Sequence, residues 1–180
     1  MAGRALPEGR EITFRLSHRI AASPEAVYDT LADVRSHLEW AGSKAKKNFR
    51  LTGIEAGDAP AGQGTQWTSS GVAPDGMFSD RSMVTEAVRP STFEFATDAH
   101  VTFKKGGEGD WKVVNRYEIT PDGDGSRVTY TQRITKATEL GPAKMMLNPV
   151  LGVIGRMMVS GLVKPAMRSL AATAQQRRGS

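Results

Sequence analysis

Residues 20–40 read IAASPEAVYDTLADVRSHLEW, and the fold is read outward from this stretch. The run Ile12–Ile20 that leads into it alternates Ile12, Phe14 and Leu16, ending on Ile20, with Thr13, Arg15, Ser17 and Arg19. That is the period of a strand with one buried face. Ser23 then stands before Pro24 and Glu25: a capping hydroxyl, a proline at the first helical position and an acid at the positive helix end. Val27, Leu31 and Val34, with Tyr28 alongside, continue at helical spacing. A second short helical turn carries Leu38 and Trp40. The stretch therefore predicts a strand followed by two short helices.

Downstream the period changes to two. Residues 49–54, 65–72, 78–88, 92–97, 100–105, 111–120 and 127–135 read as strands. Turn chemistry separates them: a Gly/Pro/Ala-rich segment at 57–64, Pro74-Asp75-Gly76, Arg89-Pro90, Gly106-Gly107, and the Asp/Gly cluster at 121–125. Connections this short join antiparallel neighbours, so a meander is expected, closing into a sheet of about seven strands. Residues 138–148 form an irregular lead-in, after which Leu151, Ile154, Met158, Leu162 and Leu170 recur on one face of a long C-terminal helix. Pro165 falls inside that helix and removes a backbone donor, so a kink near Lys164 is expected. The class is α+β, a single domain over residues 1–180 with an ordered core over 10–176.

Composition excludes several functions. A chain of 180 residues with 39% hydrophobic and 24% charged residues buries a core without staples and is neither disordered nor fibrous. With no cysteine and three histidines there is no thiol nucleophile and no basis for a metal site. No P-loop, GxGxxG, HExxH or GxSxG pattern occurs, so no cofactor is expected. The formal charge of +5 raises anionic partners, but the basic residues are dispersed apart from Lys44, Lys46, Lys47, Arg50 and the tail pair Arg177 and Arg178. No aromatics interleave with them, which argues against nucleic acid and predicts only weak, salt-sensitive association with anionic vesicles. The longest apolar run, residues 145–163, is broken by Asn148, Pro149, Arg156 and glycines, so stable membrane insertion is not expected. The N-terminal residues lack an apolar secretory core, and the expected location is cytoplasmic.

Two stretches carry a family resemblance. IAASPEAVYDTLADVRSHLEW, residues 20–40, resembles the START-like, or SRPBCC, signature of strand end, capped helix and tryptophan. VTEAVRPSTFEF, residues 84–95, resembles that superfamily's strand, proline turn and phenylalanine-bearing strand. The likeness is to the polyketide cyclase/dehydrase and lipid-transport branch and covers nearly the whole chain. It implies a helix-grip fold, in which a curved antiparallel sheet wraps the long C-terminal helix and leaves a cavity for an apolar small molecule. Both motifs mark the scaffold rather than a reaction, and family members include carriers, receptors and a few enzymes.

Strand parity supplies the cavity candidates. Trp67, Trp111, Asn115, Tyr117, Tyr130 and Gln132 fall on inward faces, and the helix adds Ile154, Met157, Met158, Gly161 and Leu162. The set is apolar with a few polar atoms, the usual make-up of a small-molecule pocket. Inward Asn115 and Gln132 on adjacent strands call for a polar ligand group, a water or each other. His18, Tyr117 and Tyr130 are the candidates for acid–base chemistry, although no acid at fixed spacing orients His18. His37 and His100 read as surface residues. Asp80 and Arg81 lie mid-strand, and whichever points inward is a buried charge seeking a partner. The leading function is binding or carriage of a lipid, polyketide or aromatic metabolite. The alternatives are a cyclase or dehydrase using an inward Tyr or His, and a membrane-peripheral or protein-interaction module.

Overall fold

Ser23 has extended backbone angles, and its Oγ accepts a hydrogen bond from the Ala26 N–H at 3.3 Å, so the helix predicted from this cap begins where the chemistry places it. A computed structural model describes residues 5–41, 50–73, 76–139 and 152–176, with side chains of the last segment described from residue 163. Strand β1 (Ile12–Ile20) leads into α1 (Pro24–Ala32), a 3-10 turn (Val34–Ser36) and α2 (His37–Trp40). Six strands follow: β2 (Arg50–Glu55), β3 (Gln66–Ala73), β4 (Gly76–Val88), β5 (Thr92–Phe103), β6 (Glu108–Asp122) and β7 (Gly125–Ala137). Helix α3 (Gly152–Gln176) closes the order and runs through Pro165.

All seven strands form one antiparallel sheet in the order β1-β7-β6-β5-β4-β3-β2, a curved meander whose first strand returns to pair with the last. The sequence divides β5 into two strands, but the structure does not. Thr97, Asp98, Ala99 and His100 pair without interruption to β4 on one side and β6 on the other, and no Gly or Pro stands there to break the ladder. The Gly106-Gly107 turn occurs as predicted, both residues having positive φ, a conformation that side chains disfavour. The turn at residues 74–75 and most of the lead-in to α3 lie outside the described residues.

The core lies between the concave face of the sheet and the helices. Val27 and Leu31 of α1, Phe93 of β5, Val128 of β7 and Leu170 of α3 are wholly buried. Tyr28 meets Phe93 edge-on at 5.9 Å between ring centroids. Arg89 grips Asp29 through two hydrogen bonds of 2.8 and 2.9 Å, which ties α1 to the β4–β5 corner. At the opposite corner the Ser126 hydroxyl donates to the Ala22 carbonyl at 2.6 Å, and a Cβ on Gly125 would overlap the Ile20 carbonyl oxygen. Gly125→Ala is therefore expected to destabilise the fold by about 1 to 3 kcal/mol, the usual cost of overpacking, read as a lower urea midpoint.

Candidate functional site

Strand register arranges the concave face in rows. One row crosses the sheet as Ile54, Ser69, Asp80, Ala99 and Trp111. The next runs Trp67, Ser82, Thr97, Val113 and Ile134, and a third runs Val84, Phe95, Asn115, Gln132 and Phe14. Beyond it Phe93, Tyr117, Tyr130 and Leu16 face the short helices. Parity thus settles the mid-strand ambiguity: Asp80 joins the concave face with buried neighbours Phe78 and Ser82, while Arg81 is exposed on the convex one.

The aromatic rows are closed. Trp67 lies 5.1 Å from Phe95, Phe95 6.4 Å from Tyr117, and Tyr117 4.8 Å from Tyr130, centroid to centroid. Asn115 and Gln132 find each other: the Tyr130 hydroxyl donates to Asn115 Oδ1 at 2.7 Å and Gln132 Nε2 donates to the same atom at 3.3 Å. Burial pushes both tyrosyl groups above their ordinary range, so neither is tuned to move a proton near neutrality.

His37, expected at the surface, is buried at 4% exposure, and this corrects the sequence reading. Its Nε2 donates to the Leu31 carbonyl at 2.8 Å, and its ring stands 4.6 Å from Trp40 and 6.2 Å from Trp67. Desolvation lowers its pKa to about 4. Helix α2 has four residues, too few for a period that would have shown which way the ring points. His100 is partly exposed and bonded to Asp110 at 2.8 Å. His18 is half-buried and shares a cleft of about 150 Å³ with Lys164, Met167 and Arg168. Among the described residues no carboxylate pairs with it.

The polar end of the concave face is different. Ser82 and Thr97 share a hydrogen bond of 2.8 Å, and Ser69 bonds the Asp80 carboxylate. Among the described residues, Asp80 Oδ1 and Trp111 Nε1 are buried with no hydrogen-bond partner. Each such atom costs about 1 to 3 kcal/mol. Burial pushes the Asp80 carboxyl up to about 7, against the hydrogen bond from Ser69 that lowers it. A larger groove of about 720 Å³ lies on the convex side, lined by outward residues such as Ser70, Ser79, Thr68, Arg81 and Asp98. It is open to solvent, and Ile54, Ser69 and Asp80 also line it. The side chains of Ile154, Met157, Met158, Gly161 and Leu162 lie outside those described.

Residues 11–175 match the sequence model of the family described as polyketide cyclase / dehydrase and lipid transport. The chain belongs to that family. Solved structures agree on the fold. A protein from Arthrobacter aurescens is 15% identical with a TM-score of 0.63, over 92% of this chain and 87% of that one. Ms6760 from Mycobacterium smegmatis is 18% identical with a TM-score of 0.59, over 92% of each chain. Ara h 8.0201 is 11% identical with a TM-score of 0.58, over 93% of this chain and 99% of that one. No curated protein sequence matches the chain. Among the described residues of this member of the cyclase/dehydrase and lipid-transport family, no helix is long and apolar enough to cross a membrane.

Proposed function

We propose that this protein binds an apolar small molecule, a lipid, polyketide or aromatic metabolite, between the concave face and helix α3. The observation that carries the reading is the gradient along that face, from a closed aromatic end at Phe93, Phe95 and Tyr117 to a polar end at Ser69, Asp80, Ser82 and Thr97. A core that served stability alone gains nothing from a carboxylate in this position. Membership of a family described by cyclisation and lipid transport supports the same reading. The location is proposed to be cytoplasmic, and the charge distribution supports neither nucleic acid nor inserted membrane as partner.

A second reading has one observation in its favour. A carboxyl held near neutrality on a concave face is suited to proton transfer, which makes Asp80 a stronger acid–base candidate than His18, Tyr117 or Tyr130. Native mass spectrometry of freshly purified protein tests the binding reading, and a co-purifying apolar mass is the expected result. Tyr117→Phe and Tyr130→Phe are expected to shift affinity by no more than one hydrogen bond, about 0.5 to 1.5 kcal/mol. Turnover of the captured molecule that disappears in Asp80→Asn while binding survives would replace the carrier with an enzyme.

A further inference from the structure

Asp80 and Trp111 stand in register on either side of Ala99, two strand spacings or about 9 to 10 Å apart at Cα. Both face the concave side, and between them only the Ala99 methyl rises from the sheet. Across this gap one buried atom, Asp80 Oδ1, is an acceptor without a donor, and the other, Trp111 Nε1, is a donor without an acceptor. Among the described residues around them, Ser82 and Thr97 bond each other, and Trp111 is flanked by Ile12, Ile134, Ala137 and Val113, which carry no side-chain acceptor.

From this juxtaposition we infer that the ligand is a neutral apolar molecule bearing a hydroxyl, alone or beside a carbonyl. Its polar edge seats over Ala99, where it donates to Asp80 and accepts from Trp111. A hydroxyl is the smallest group that both donates and accepts, so it completes both atoms, whereas a hydrocarbon completes neither. A carboxylate completes only the indole and sets a second negative charge beside Asp80. This rests on the proposed concave binding site and adds the chemical class of its occupant.

Equilibrium dialysis of the whole protein with naphthol, naphthalene and naphthoate tests it. Wild type is expected to hold naphthol about ten-fold more tightly than naphthalene, and naphthoate less tightly than either, as a site built for a polar partner discriminates. Trp111→Phe keeps the ring and removes the donor, and Asp80→Ala removes the acceptor. Each is expected to cut the naphthol-to-naphthalene ratio at least about three-fold, and Asp80→Ala to recover naphthoate binding. Asp80→Asn retains an acceptor oxygen and is expected to preserve the ratio. A ratio near unity in wild type, or one unchanged in both deletion variants, overturns the inference and leaves concave binding standing. Retention of none of the three probes by wild type overturns both.

Discussion

Replacing Asp80 with asparagine is expected to raise the melting temperature by about 5 to 10 °C at about pH 8 and by about 2 to 4 °C at about pH 5. In the folded chain burial raises the carboxyl from 3.8 to about 7. Between those values the folded state holds a proton that the unfolded state has released, so stability falls as pH rises through the interval. Above about pH 7 the carboxylate is charged in both states, and the folded protein carries the full desolvation cost, about 2 to 4 kcal/mol. Asparagine fills the same volume without ionising, so it removes the cost at high pH and resembles the protonated acid at low pH. Urea or thermal unfolding at several pH values reads the difference. Parallel wild-type and variant curves would show Asp80 to be solvated in the folded chain.

His37 acts in the opposite direction and at the opposite end of the concave face. Its folded pKa lies near 4, below the 6.5 of a free imidazole, because protonation would place a charge among Trp40, Trp67 and Phe95. Between those values the unfolded state binds a proton that the folded state refuses, so stability is present above about pH 6.5 and is lost as pH falls towards 4. The expected loss is about 3 kcal/mol. His37→Gln keeps an N–H donor for the Leu31 carbonyl but does not titrate, so between about pH 6.5 and 4.5 its stability is expected to rise as pH falls, under the Asp80 contribution alone. Equal acid limbs in both proteins would mean that the ring reaches water. Asp80 and His37 change stability with opposite sign over nearly the same interval, so wild type is expected to be flat there and each single variant sloped.

The scaffold was legible because its signals are local. A cap at Ser23, glycines at positive φ and alternation along β1, β6 and β7 each act within a few residues, and the structure agrees with them. The split of β5 failed because Asp98 looks like a turn residue until both neighbouring strands hold it. Parity placed Trp67, Trp111, Asn115, Tyr117, Tyr130 and Gln132 on the concave side, but it could not tell that Asn115, Tyr130 and Gln132 satisfy one another. That depends on register across β6 and β7. Asp80 remained ambiguous because Met83 beside Val84 blurs the alternation, and Met83 proves to be exposed at 42%. His37 was misread because one helical turn carries no period.

Strand β1 is made before any of its partners. Its ladder joins Ile12–Ile20 to β7, and the corner bond that seals it spans 104 residues. At about 5 to 20 residues per second of synthesis, the strand waits roughly 5 to 20 s for its neighbour, while the hairpins of β2 to β7 can zip as they appear. During that interval Ile12 and Phe14 lie bare on a nascent chain, a hazard for sticking to other chains. The intervening Thr13, Arg15, Ser17 and Arg19 are the safeguard. Arginines at every fourth place keep two unfinished chains from stacking strand on strand, so the alternation that buries one face of the finished sheet also guards the unfinished one.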